Sequence, residues 1–403
     1  MANRIYLARP AGDNQTQGRL GSSIKDIVAT MILARVLNWS FVPPLTPQHK
    51  SDHRAFCYRG SCVSDVMNFK WQWLALNWLD VTTLRQQQMC PSGWVQVVLD
   101  SSSFNGFVTS ESAIATVLQA VPPSVQRSGG CVLTTRCFRF AHPGQLLAWE
   151  RQGILPAGIY GRVLSDLRRS LRPPPLLQMP APEGRHAILA VHVRRGDRAE
   201  LEMLFDPSSL VAERVRHASA ALLQSSLFDR VSAFVVVEPG NSEDVFAHGC
   251  PREMSGLSMQ SCKVVSASMQ HDFQALVRST LMVVSSSGFS TGAHLFRLDS
   301  APTLVVGFVK HFFSADAQPS NLITIGADDG VGKLKDICVN CDVWCAHHEM
   351  CVSNASSYVA TLKLLLTDEA RIQKTSEALR RILGLMRENK PYEHKARSSK
   401  VQP

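Results

Sequence analysis

Several features that would settle the class of this chain are missing from it. No apolar run approaches the ~18 residues a membrane-spanning helix needs, and no secretory leader pattern opens the sequence. No internal repeat is visible, which sets aside solenoids and other repeat arrays. Charge is also undramatic in its arrangement. The net formal charge is +9, so an anionic partner is expected, yet the basic residues form no long run. The Lys390 to Lys400 segment reads as a solvated tail. Without a nucleic-acid motif, a basic nucleic-acid-binding protein is the least favoured class; it predicts salt-sensitive binding to RNA or DNA.

The 403 residues exceed what one hydrophobic core organises, and 45% hydrophobic composition is that of globular protein. The pattern fits two α/β domains. The boundary falls at Arg172-Pro-Pro-Pro-Leu-Leu-Gln-Met-Pro-Ala-Pro-Glu-Gly184, a semi-rigid connector. The expected division is 1–171, linker 172–184, a second domain 185–366, and a C-terminal helix and basic tail 367–403.

Residues 187–197 carry the most information: Ala-Ile-Leu-Ala-Val-His-Val-Arg-Arg-Gly-Asp. An apolar run of the kind found in buried parallel strands stops abruptly at His192, Arg194, Arg195, Gly196 and Asp197. In open α/β sheets, ligands bind outside the carboxyl ends of such strands. Period-2 alternation places His192 and Arg194 on one face. Two neighbouring guanidiniums match phosphate oxygens, and Gly196 permits close backbone approach. A strand-end ion pair between Arg195 and Asp197 is the plainer alternative.

Residues 272–284 read as a short amphipathic helix (Phe273, Leu276, Val277) and then a strand from Leu281 to Val284. A small-residue loop follows, and apolar spacing resumes at Ala293 and Leu295. A Ser/Gly loop feeding a helix N-terminus is a ready anion site; an ordinary capped turn is its rival. Near the start, residues 4–8 read as a strand. Gly18-Arg-Leu-Gly21 then leads into a helix from Ser22 to Arg35 behind a Ser cap, and Trp39 to Val42 is the next strand. Further strands are expected at Val231–Val237 and Thr303–Gly307, and helices at Ser208–Leu222 and Thr367–Glu388. Trp71, Trp73 and Trp78, three of the seven tryptophans, are spaced for core packing, with sugar stacking as the alternative.

In this order the three blocks resemble the GDP-fucose-using fucosyltransferases. His192-Val-Arg-Arg-Gly-Asp197 is similar to their first motif. Arg198, Glu202, Phe205 and Pro207 extend it toward the α1,6 group. The Asp272-Phe opening and the Ser287-Gly-Phe-Ser-Thr291 stretch are similar to the third motif in its α1,2 form, with Gly288 where relatives usually carry Thr. Gly18-x-Leu-Gly21 before a helix is how these enzymes begin.

The resemblance implies a GT-B-like α/β fold, two Rossmann-type domains facing a cleft. The C-terminal domain then binds GDP-fucose and the N-terminal domain shapes a glycan or glycoprotein acceptor site. It implies an inverting transfer of fucose, with Glu202 as base (Glu200 is the alternative) and Arg194 stabilising the departing diphosphate. Donor contacts are implied for His192, Arg194, Arg195, Asp197, Arg198, Asp272, Ser287, Phe289, Ser290, Thr291, Gly18 and Gly21. No cofactor or divalent metal is expected, since no Asp-x-Asp pair sits in a plausible strand-end loop. A catalytically degenerate member that only binds nucleotide or glycan is the second reading.

Cys338, Cys341, Cys345 and Cys351, with His347 and His348, form the densest cysteine cluster. Disulfides are the favoured reading, with free thiols and a zinc site as the alternatives. Sequons at Asn14, Asn38 and Asn354 suit a secretory protein. Golgi or another secretory lumen is expected by resemblance, and cytoplasm if the chain is full length. Membrane contact is expected only if an N-terminal anchor is missing from it.

Overall fold

A computed structural model describes residues 5–8, 20–42, 57–58, 61–62, 96–99, 113–128, 130–134, 143–171, 185–194, 207–237, 246, 249–250, 254, 261–265, 268–284, 287–307, 318–325 and 348–388. The proline-rich connector 172–184 and Trp71, Trp73 and Trp78 lie outside them.

The N-terminal half begins with the expected βαβ unit. Strand β1 (Ile5–Ala8) leads to helix α1 (Leu20–Val36) and strand β2 (Ser40–Val42), which pairs parallel to β1 with Tyr6 opposite Ser40. A short antiparallel pair, β3 (Cys57–Tyr58) and β4 (Ser61–Cys62), precedes β5 (Gln96–Leu99). Helices α2 (Ala113–Ala120) and α3 (Pro123–Ser128) lead to β6 (Gly130–Thr134), then α4 (Pro143–Arg151) and α5 (Ile159–Ser170). The resulting sheet is parallel throughout, in the order β2-β1-β6-β5.

The C-terminal half starts with β7 (His186–Val193), every residue of which is buried. It continues through α6 (Ser208–Gln224), β8 (Arg230–Val237), β9 (Ser261–Val265), α7 (Met269–Arg278), β10 (Leu281–Val284), α8 (Gly288–Phe296), β11 (Thr303–Val306) and β12 (Leu322–Ile325). Two helices close it, α9 (His348–Thr367) and α10 (Glu369–Glu388). Its six parallel strands run β9-β8-β7-β10-β11-β12. Counted from β7, that is the 3-2-1-4-5-6 order of doubly wound nucleotide-binding sheets.

Strand parity decides what packs where. Ala187, Leu189, Val191 and Val193 point into a core shared with α6, α9 and α10. Ile188 and Ala190 point the other way, into a core built from α7, α8, α1 and α5. That second core runs without a break from Ile24 and Val163 of the N-terminal half to Phe273 and Phe296 of the C-terminal half. The α/β expectation of two Rossmann-type sheets in one chain is therefore what the structure has.

Several element boundaries differ from the sequence reading; α7, for one, starts at Met269 rather than at Asp272. Helix α1 starts at Leu20, so Gly21 and Ser22 lie inside its first turn and Ser22 is not its cap. Helix α8 starts at Gly288 behind Ser287, so Gly288 to Thr291 are helical rather than loop. Helix α9 was not anticipated, and the final helix begins after a break at Asp368. There Asp368 Oδ1 accepts from the Ala370 N–H at 3.0 Å, a side-chain cap on the new helix.

Candidate donor site at the switch point

Strands β7 and β10 are hydrogen-bonded neighbours, with Leu281 opposite Leu189. The chain leaving β7 packs α6 on one face, while that leaving β10 packs α8 on the other. Their carboxyl ends thus form the topological switch point, where doubly wound sheets open a crevice for ligands. Arg194 follows β7 directly, and Ser287 caps the helix that follows β10.

Parity carries His192 onto the α7/α8 face, and Arg194 lies close enough for its charge to act on the imidazole. The His192 ring lies 5.4 Å from that of Phe289, tilted by 41°. Phe289 in turn meets Phe273 edge-on at 5.4 Å, and Phe273 meets Phe296 the same way. The first motif and the third, 92 residues apart between His192 and Val284, therefore share one wall. His192 is 1% exposed. Burial, reinforced by the Arg194 charge, lowers its pKa to about 3, so the imidazole is neutral and cannot titrate near neutrality. Arg194 is 8% exposed at the strand end.

The first turn of α8 is fixed by its own hydroxyls. Ser287 Oγ accepts from the Phe289 N–H at 3.1 Å. Ser290 Oγ and Thr291 Oγ1 both donate to the Ser287 carbonyl, at 3.1 and 3.0 Å. Both residues are fully buried. Both hydroxyls thus donate to the turn itself. What α8 presents at the crevice is the positive end of its dipole.

Gly21 lies directly against the first turn of α8. A Cβ there would overlap the Gly288 carbonyl and the Phe289 nitrogen. One turn along, a Cβ on Gly292 would sit 3.3 Å from Ile24 Cδ1 and 3.4 Å from Gly21 Cα. Glycine is needed at position 21 because α1 lies backbone to backbone on α8. The N-terminal turns of both helices consequently meet beside the switch point.

Asp272 lies in the first turn of α7, 7% exposed, behind the Ser268 cap whose Oγ accepts from the His271 N–H at 3.2 Å. His271 Nδ1 is 3.6 Å from Asp272 Oδ1. Of the other expected residues, Gly18, Arg195, Asp197, Arg198, Glu200 and Glu202 lie outside the described residues, and the structure does not place a base.

Two features escaped the sequence reading. Cys250 and Cys262, away from the denser cysteine cluster downstream, form a disulfide, 6.2 Å between Cα atoms. Of that cluster, Cys338, Cys341 and Cys345 lie outside the described residues, and Cys351 falls in α9. The second feature is Arg297, wholly buried immediately after α8. A single arginine after an apolar helix carries no sequence signal of burial. Among the described residues, no three His, Cys, Asp or Glu side chains cluster as metal ligands, and no helix is long and apolar enough to cross a membrane.

No family model and no curated protein matches the chain. Loosely similar solved structures exist. POFUT1 in complex with GDP-fucose is 11% identical at a TM-score of 0.44, over 75% of this chain and 98% of that one. The E. coli heptosyltransferase WaaC with ADP is 12% identical at 0.33, over 79% and 92%. The Neisseria meningitidis UDP-GlcNAc 2-epimerase bound to UDP-GlcNAc is 9% identical at 0.30, over 96% and 100%.

Proposed function

We propose that the chain is a glycosyltransferase that moves fucose from GDP-fucose to a glycan or protein-linked hydroxyl. The observation that carries this reading is the position of Arg194 and the α8 N-terminus. They flank the switch point of a 3-2-1-4-5-6 sheet, with neutral His192 against Phe289 between them. A guanidinium and a helix N-terminus at the ends of neighbouring strands suit a diphosphate. The proposed donor set is His192, Arg194, Arg195, Asp197, Arg198, Asp272, Ser287 and Phe289, with Gly18 at the N-terminal turn. Ser290, Thr291 and Gly21 shape the turns that face it.

The chemistry is a single inverting displacement. Glu202 takes the proton from the acceptor hydroxyl as that oxygen bonds to the anomeric carbon. The bond from that carbon to the β-phosphate oxygen breaks, and its electron pair leaves with GDP. Arg194 stabilises the charge growing there, with a contribution of about 3 kcal/mol. Two arginines and a helix terminus supply the positive charge that a cation would otherwise bring, so the reaction proceeds without divalent metal. His192, held neutral, contacts guanine or ribose as a hydrogen-bonding and stacking group.

Calorimetric titration of GDP and GDP-fucose, free of divalent metal, tests the reading in wild type and Arg194→Ala. Micromolar binding that weakens about a hundredfold in the variant supports it. Absence of binding to both ligands in the wild type refutes it. Binding without any turnover across glycan acceptors points to the degenerate relative, which the missing hydroxyl at Gly288 favours.

A further inference from the structure

Helices α7 and α8 carry different parts of the proposed donor site on their first turns. Asp272 lies on α7 and the Ser287-capped turn on α8. Their far ends are joined by one side chain. Arg297 is 0% exposed, and its guanidinium spreads over both helix exits. Nη1 donates to the Leu276 carbonyl at 2.6 Å, the Val277 carbonyl at 3.1 Å and Ser279 Oγ at 2.9 Å. Nη2 donates to the carbonyls of Ser279 at 3.0 Å, Thr280 at 3.3 Å and Pro302 at 2.8 Å. Nε reaches the Ala301 carbonyl at 3.4 Å. No carboxylate is among these partners. The charge is balanced by carbonyl dipoles, several of them at the negative C-terminal end of α7.

We infer that Arg297 is a positioning residue: it sets the relation of α7, whose Asp272 by the family resemblance contacts the guanine, to α8, and so the spacing between the base-binding and phosphate-binding halves of the donor site. This rests on the proposed donor reading. The geometry gives three supports. Arg297 directly follows α8, and its backbone N–H donates to the His294 carbonyl at 3.0 Å, so its main chain is fixed to that helix. Its side chain is fixed to the residues leading from α7 into β10. Between these two attachments the helices touch through Phe273, whose ring meets Phe289 near the site and Phe296 near Arg297. One planar fork with donors on two sides defines rotation as well as distance, which the point charge of lysine cannot do.

The consequence is specific to ligands that span both helices. GDP bridges the two subsites, whereas guanosine and pyrophosphate each occupy one. A shift of α7 against α8 lowers the effective concentration of the second contact and leaves each single contact intact. In Arg297→Lys, measured on the full chain well below its melting temperature, GDP binding should weaken about tenfold. Guanosine and pyrophosphate should bind within about twofold of wild type. Ser279→Ala removes one acceptor from the fork and should show the same pattern at about threefold, which covers the case where Arg297→Lys does not fold. Unchanged GDP affinity in folded variants overturns the inference and leaves Arg297 a stabilising residue only. Equal weakening of all three ligands also overturns it. If wild-type protein binds no GDP, the donor reading itself fails, a result the variants cannot mimic.

Discussion

Acid should unfold this protein through its buried histidines. His192 and His294 are almost wholly buried, and burial lowers the pKa of each to about 3. At His192 the Arg194 charge adds to the effect; at His294 the Arg297 and Arg168 charges do. In the unfolded chain both imidazoles return to the ordinary value of 6.5. The unfolded state therefore binds more protons below that pH, and stability rises with pH across the window from about 3 to 6.5. Stability is complete above 6.5 and is lost progressively on acidification. Each imidazole contributes a slope of about 1.36 kcal/mol per pH unit in that window. At pH 5 this is about 2 kcal/mol each, or about 4 kcal/mol for the pair, a large part of the 5–15 kcal/mol typical of a domain. Urea unfolding followed by tryptophan fluorescence at pH 7 and pH 5 measures the total. His294→Gln, which keeps a polar partner for Thr303 Oγ1 (3.0 Å from Nδ1), isolates one share. The variant should lose about 2 kcal/mol less than wild type between the two pH values. Equal losses in both proteins would refute the argument for His294.

Other outcomes are expected for the helix contact, the disulfide and the proposed base. Gly21→Ala forces a Cβ into the Gly288 backbone and should cost about 3 kcal/mol or more. Gly292→Ala, with its nearest neighbour a flexible Ile24 methyl, should cost about 1 kcal/mol; thermal melts of both variants separate a tight backbone contact from a loose one. Removing the Cys250–Cys262 bridge, which closes a separation of 12 residues, should lower stability by about 3 kcal/mol in denaturant titrations under matched redox conditions. Replacing Glu202 by Gln should reduce fucosyl transfer by 10²–10⁴-fold, as loss of a general base does, with GDP affinity intact. Glu200→Gln should leave transfer within about threefold, and EDTA should leave it unchanged; activity abolished by the chelator would remove the metal-free mechanism.

Much of the fold was legible because buried parallel strands write themselves as apolar runs. β7, β8, β10 and β11 are each such a run, and all are paired inside the six-stranded sheet. Helix α6 was legible from its spacing. The starts of α1 and α8 were not. Ser22 and Ser23 at α1, and Ser285, Ser286 and Ser287 at α8, are equally good caps by residue type. The winning start at α1 lies among residues that pack on α8, a contact between positions 21 and 288 that no local pattern encodes. Helix α9 was hidden for a related reason. Its first half, His348-Glu-Met-Cys-Val-Ser-Asn-Ala-Ser-Ser357, has the polar and small residues of a loop. It is anchored to the core by Tyr358, Val359, Leu362 and Leu366 in its second half.

The site shows the same division between what is local and what is not. That His192 and Arg194 share a face at a strand end follows from the two-residue repeat of a strand, so it could be read directly. Which hydroxyls point at a ligand could not. Once α8 begins at Gly288, Ser290 and Thr291 fall three and four residues after Ser287, where a hydroxyl reaches back to the carbonyl of the preceding turn. Residue type alone suggests phosphate donors, but the helix start at Gly288 turns both hydroxyls back on their own turn. The same displacement alters how the glycine at 288 is understood. Read as loop, it is a lost phosphate ligand. In the helix, its backbone is the surface on which Gly21 rests, and it brings a second helix N-terminus to the crevice. On the proposed donor reading, the end of α1 adds positive potential beside that of α8, a backbone contribution drawn from the other half of the chain.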